Sequence, residues 1–264
     1  MAEIDFIGEA KRIVEAAQKS GILLRVLGAV AFRIQCPAYI PVHIAMGREL
    51  SDIDFAAYMK EDQKIEKFFM SGMNFKGEQR QAALTPELFV GRHIYEDPVT
   101  GLHVDIFFDE LNMSHKVNFR NRLHLDPVTI TLADLTLEKV QIAHLNEKDI
   151  KDMLMLLAAH PVAETDQGAV NGKYIADVMS KDWGFYYTTT TNLGKIRNGI
   201  PRYQQFFSKD DLARIDKGLG QLESMIEAAP KSIKWKTRAM VGTKVQWYND
   251  VEEVERADHL KDIH

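Results

Sequence analysis

The sequence predicts an α+β fold: a small mixed β-sheet flanked by helices, followed by a mainly helical C-terminal region. Three observations lead there. Up to Phe108, short apolar runs alternate with amphipathic stretches in the order helix, strand, helix, strand, helix, hairpin. From Thr131 onward the apolar spacing becomes helical. No internal repeat or low-complexity tract suggests a solenoid or a disordered arm. The division expected is a core with its trailing helices over residues 1–160 and a helical region over 161–264, with Pro161 at the boundary.

Asp5 to Lys19 carries Phe6, Ile7, Ala10, Ile13, Val14 and Ala17 at helical spacing, and Ser20-Gly21 stops it. Ile22–Leu27 is dense enough in apolar residues for a buried strand. Gly28 follows, then a helix over Ala29–Ile34 that must end before Pro37. A loop containing Pro37 and Pro41 leads to a second buried strand, Ile53–Ala57. Glu61–Met70 reads as a helix closed near Gly72. Gly91–Tyr95 and Leu102–Phe108 read as strands joined by the turn Asp97-Pro98-Val99-Thr100-Gly101, where Pro presets φ and Gly supplies a positive φ. Thr131-x-x-Asp134 suits a capping box opening a helix through Leu135 and Val140. Asn146 caps a helix over Glu147–Ala159, and Leu212–Ile226 is amphipathic.

At 264 residues and 45 % hydrophobic, the chain is long enough to bury a core without disulfides, and Cys36 is its single cysteine. No window approaches the ~18 apolar residues of a membrane span, and the first residues lack the basic-then-apolar plan of a signal peptide. A cytoplasmic location without membrane association is expected. Residues 161–264 hold 15 Lys+Arg and 15 Asp+Glu, so the whole net charge of −5 falls within residues 1–160. Strong nonspecific DNA binding is not expected from that balance.

The informative segment is Gly47-Arg48-Glu49-Leu50-Ser51-Asp52-Ile53-Asp54-Phe55. Two aspartates two apart on a strand point to one face, while Ile53 and Phe55 bury the other. Adjacent carboxylates repel unless a cation or a hydrogen-bond network compensates, and oxygen ligands in this arrangement suit Mg²⁺ or Mn²⁺. Asp105, alone in the apolar run His103–Phe108, requires the same explanation. If its strand lies beside Ile53–Ala57, the three acids form one cluster able to hold two metals. Taken alone, Asp-x-Asp also arises by chance at strand ends. Gly28 lies where a strand passes into a helix, where backbone N–H groups receive an anion such as a triphosphate.

Taken together, Leu27-Gly28-Ala29-Val30-Ala31, then Arg48-x-x-Ser51-Asp52-Ile53-Asp54, then a later strand with Asp105, resemble the nucleotidyltransferase superfamily related to DNA polymerase beta. Leu132-x-Asp134-Leu135-x-x-x-Lys139 followed by Lys148-Asp149-x-x-Asp152 is similar to the helical region of its AbiEii-like branch. The resemblance spans roughly residues 20–157. It implies metal-dependent transfer of a nucleoside monophosphate from NTP to an acceptor, with release of pyrophosphate. Carried across, Asp52, Asp54 and Asp105 hold metal and Asp105 helps activate the acceptor. Gly28, Ala29, Arg48, Ser51, Lys139 and Asp149 belong to the nucleotide side. Two departures stand out: the turn is Gly28-Ala29 where the family has Gly-Gly or Gly-Ser, and the spacing from Ala29 to Asp52 is longer, implying an inserted loop around Pro37–Pro41. Hence the alternative of a catalytically weak or inactive nucleotide- or partner-binding module on the same fold.

Blander readings accompany several of these residues. Arg48 also suits an ion pair with Asp52 or Asp54, and Lys139 a solvated helix face. Asp149 and Asp152 suit a charged surface with Lys148 and Lys151. The histidines show no HExxH spacing, and no G-x-S-x-G elbow, phosphate loop or dinucleotide motif is present. Residues 229–249 interleave Lys231, Lys234, Lys236, Arg238 and Lys244 with Trp235, Trp247 and Tyr248. That pattern suits single-stranded RNA, or a helix with its aromatics inward and its lysines solvated.

Overall fold

The computed structural model describes residues 4–77 and 91–250. Helix α1 (Phe6–Lys19) is capped by Asp5 and buries Ala10, Ile13, Val14 and Ala17. Strand β1 (Arg25–Leu27) runs straight into α2 (Gly28–Gln35). The stretch containing Pro37 and Pro41 is not a loop. It forms a 3₁₀ turn at Pro37–Tyr39 and α3 (Ile40–Ala45), with Pro at an N-terminal position of each, where its missing N–H costs nothing.

Next come β2 (Asp52–Ala57) and α4 (Asp62–Lys67), the latter ending in a π turn, Phe68–Gly72, in place of the longer helix expected. Strands β3 (Lys76–Gly77), β4 (Arg92–Glu96) and β5 (His103–Phe108) follow. Together with β1 and β2 they make a sheet of order β1-β2-β5-β4-β3. Pairing is antiparallel except for β2 with β5, so the sheet is mixed as expected. The β4–β5 turn forms as read: the Asp97 side chain accepts from Val99 N at 2.9 Å, and Gly101 takes φ +73°. The free edge of β1 is covered by Val128–Ile130, whose backbone bonds Val26 on both sides at 2.9 Å.

That covering segment delivers the chain into α5 (Leu132–Val140), after a small hairpin of β6 (Glu110–Asn112) and β7 (Lys116–Asn118). Thr131 caps α5, but the Asp134 carboxylate turns to the Arg122 guanidinium at 2.7 Å instead of closing a reciprocal box. All nine residues of α5 are buried, so Asp134, Glu138 and Lys139 must find partners inside the protein. Helix α6 (Glu147–Ala159) carries the full capping box of Asn146 and Asp149.

Beyond Pro161 come a two-residue pairing of β8 (Val162–Ala163) with β9 (Val170–Asn171), then α7 (Gly172–Met179), α8 (Trp183–Tyr203), α9 (Lys209–Ala228) and α10 (Ile233–Val241). Buried apolar side chains form one continuous cluster from Ala10 to Ile226. No helix among the described residues is long and apolar enough to cross a membrane.

Candidate active site

The parallel pairing of β2 with β5 sets Asp52 opposite His103 and Asp54 opposite Asp105. Register partners in neighbouring strands project to the same face, so Asp52, Asp54 and Asp105 share one face of the sheet. The alternate residues Ile53, Phe55, Val104 and Ile106 are fully buried on the other. Leu27 pairs with Asp54 across β1–β2, which brings the next residue, Gly28, against the aspartate. Gly28 has φ +69°, and a Cβ there would stand 2.4 Å from Asp54 Oδ2. Glycine is therefore required twice over, for the left-handed backbone and for the close approach.

Among the described residues, the acids on this face outnumber the cations. Burial raises the Asp54 carboxyl well above the ordinary aspartate range, Asp52, Asp105 and Glu138 add to the effect, and Arg92 opposes it. Arg92, on β4, donates to Asp105 Oδ2 at 2.6 Å and lies over the Phe107 ring. Ser51 donates its hydroxyl to Asp52 Oδ1 at 3.1 Å. The donor set has the oxygen chemistry that Mg²⁺ or Mn²⁺ takes, and a divalent cation would offset the repulsion among these carboxylates. As the side chains stand, however, no three His, Cys, Asp or Glu among the described residues are gathered into a ready metal cage. Asp105 is drawn toward Arg92 and Asp52 toward Ser51.

Other sequence-nominated residues lie behind this face. The Gly28 N–H, expected to meet a phosphate, donates to Glu138 Oε2 at 3.0 Å. An internal carboxylate thus takes the anion position at the start of α2. Ala29, the next residue of that turn, is partly buried. Lys139 Nζ lies 3.0 Å from Glu138, 3.1 Å from Asp152 and 3.5 Å from Asp149. Burial disfavours its charge, but these three acids outweigh that and raise its pKa well above the usual lysine value. Asp149 is both the capping-box acid of α6 and a partner of this lysine.

Arg48 pairs with neither Asp52 nor Asp54; its Nε donates to Asp152 Oδ1 at 3.0 Å. Asp152 is fully buried and not a surface charge. It also lies 2.8 Å from His43 Nε2. Arg33 Nε donates to His43 Nδ1 at 3.2 Å, so the imidazole is neutral with its proton on Nε2, directed at Asp152. Burial keeps the His43 pKa low despite the aspartate. Burial alone would raise Asp152, but Lys139, His43 and Arg48 hold it well below the usual carboxylate range.

Sequence reasoning missed Arg92, Glu138, His43 and Arg33. Only the Glu138-Lys139 doublet, on a helix rich in leucine, carried a local signal.

No family model matches this sequence, and no curated protein does. Among solved structures the chain is similar to an antigenic nucleotidyltransferase-like protein from Paracoccidioides brasiliensis. The identity is 11 %, covering 86 % of this chain and 94 % of that one, with a TM-score of 0.40. What the site can do is therefore decided by its own geometry.

Proposed function

We propose that the chain is a divalent-metal-dependent nucleotidyltransferase, of the AbiEii-like branch that its motifs resemble. It would move a nucleoside monophosphate from NTP to RNA, a protein hydroxyl or a small molecule. The observation that carries this reading is the pairing of Asp54 with Asp105 across parallel strands, with Asp52 on the same face and the Gly28 turn pressed against Asp54.

Asp52 and Asp54 would hold Mg²⁺ or Mn²⁺, with Asp105 completing the set. A bound divalent ion supplies charge neutralisation for the phosphates and an ionised, pre-oriented donor set. The chain's own residues account for the rest. Gly28 would let the backbone come close to the phosphates, with the Ala29 N–H turned to them beside the Gly28 N–H that Glu138 holds. Arg92 sets the position of Asp105. An acceptor hydroxyl would attack the α-phosphorus as the bond to the bridging oxygen breaks and pyrophosphate leaves, with its proton passing to Asp105.

A second reading has specific support. Glu138 takes the Gly28 N–H, and Lys139 is enclosed by three carboxylates. With Ala29 in the turn, this favours a module that binds a nucleotide or a partner without turnover.

Incubation with each α-³²P-labelled NTP, Mg²⁺ or Mn²⁺, and total RNA or cell lysate separates the two. Label in RNA, protein or a small molecule, absent with Asp54→Asn, supports the enzyme. Metal-dependent nucleotide binding with no label in any fraction would replace it with the binding module.

A further inference from the structure

On the C-terminal side, α8 and the segment after α10 enclose a cleft of about 270 Å³ that the proposed chemistry does not use. Tyr187, Asn192 and Lys195 of α8 line it, with His144 from the α5–α6 turn and Trp247 and Tyr248 from the last described segment. Its volume is just under the ~300–1,000 Å³ of sites that enclose a drug-sized ligand, which leaves room for a single flat ring system.

The walls are aromatic. The rings of Tyr187 and Trp247 lie 5.1 Å apart at 86°, Trp247 and Tyr248 5.2 Å apart at 77°, and His144 and Tyr248 5.8 Å apart at 89°. The segment is fixed in place: Trp247 Nε1 donates to Thr188 Oγ1 at 3.1 Å, and Asn249 N to Ser114 O at 3.0 Å. Gly184 permits this closeness, since a Cβ there would lie 2.5 Å from Trp247 O.

Asn192 holds the floor of the cleft in place. It is fully buried and donates from Nδ2 to Val140 O at 3.0 Å and to Ile142 O at 2.7 Å, which locks the amide. Its Oδ1 has no hydrogen-bond partner among the described residues. That oxygen is shielded from solvent, so Asn192 fixes the floor of the cleft and does not itself reach a guest. On another side of Trp247 lies a recess of about 180 Å³ lined by Lys181, Lys234 and Arg238 with Trp183 and Trp235. The Asp182 carboxylate there is engaged in capping α8.

We propose that the cleft receives one unpaired base of a single-stranded polynucleotide. The rings stack on the base, and Lys195, Lys181 and Lys234 meet the neighbouring phosphates. Only the strand's role as acceptor rests on the transferase reading; the site itself does not.

Fluorescence anisotropy of the full chain with labelled 12-nucleotide single strands tests this, with RNA and DNA arms to identify the source. Tyr187→Ala and Tyr248→Ala, checked for folding by circular dichroism, should weaken binding about tenfold or more, and Lys195→Ala should reduce its salt dependence. A duplex of the same sequence should bind at least tenfold more weakly. Equal binding of single strand, duplex and heparin, or no loss in both tyrosine variants, would overturn the proposal. Asp54→Asn should keep the affinity. A wild type that labels only protein or small molecules and binds no strand overturns this inference alone. A protein that binds strands but turns over no NTP supports this inference and defeats the transferase.

Discussion

Asp54 and Asp152 are acids held in one protein with opposite outcomes. Asp54 is surrounded by Asp52, Asp105 and Glu138, and its pKa rises well above the ordinary range. Asp152 is buried among Lys139, His43 and Arg48, and its pKa falls well below it. Burial pushes both the same way; the neighbours decide. Where the fold supplies its own cations, a buried carboxylate is part of the architecture. Where it gathers further acids, a single nearby arginine leaves the carboxylate raised, and a proton or a bound cation supplies further compensation. That is why the proposed chemistry sits at Asp54 and not at the more deeply buried Asp152.

The largest effect expected is on turnover. Asp52→Asn and Asp54→Asn should each lower nucleotidyl transfer by at least about 10²–10³-fold, the scale of losing one preorganised electrostatic group. Circular dichroism should show the fold intact, and a global collapse in Asp54→Asn would erase the distinction between the two acids. Stability should respond the other way. Lys139→Met leaves Asp152, Asp149 and Glu138 without their shared ammonium and should cost about 3–5 kcal/mol in urea unfolding. A loss under 1 kcal/mol would show that Arg48 and His43 suffice.

Smaller, and opposite in sign, are the pH effects. A raised folded-state pKa means that the native protein binds more protons than the unfolded chain. Asp54 therefore favours folding at low pH, and that contribution is lost as pH climbs above the ordinary aspartate value. Asp54→Asn should raise the metal-free Tm at pH 7–8 by about 2–4 °C per kcal/mol relieved, with the gain vanishing below about pH 4. For Asp152 the folded value is depressed, so its contribution is present at neutral pH and lost on acidification; Asp152→Asn should destabilise at pH 7 and converge with the wild type in acid. Thermal melts across pH check both, and parallel curves for the two variants would contradict the assignment. Gly28→Ala, with φ +69° and no room beside Asp54 Oδ2, should cost roughly 1–3 kcal/mol and disturb the acidic face more than the Asp152 hub. Urea unfolding measures the cost.

Much of the core was legible locally. The helices over Phe6–Lys19 and Glu147–Ala159 announce themselves by spacing and caps, and the Asp97–Gly101 hairpin by its turn residues. Within the helical region expected over 161–264, the bounds of α8 were not legible, because Tyr187 and four threonines in a row suppress any apolar period, and β-branched residues lower helix propensity. It is helical because Thr188, Thr189, Asn192, Leu193 and Ile196 are buried by their neighbours.

Strand alternation is a local rule, so the sequence alone places Asp52 and Asp54 on one face, and it sets a glycine where the first strand passes into the second helix. It also carried Asp105 as an acid in need of an explanation. That Asp105 lies beside Asp54, that Arg92 holds it, and that Arg48 and Lys139 belong to Asp152 emerges only from the three-dimensional pairing. Pairings between segments 13 to 110 residues apart leave no trace in local periodicity, because what selects them is the cost of burying each charge without a partner.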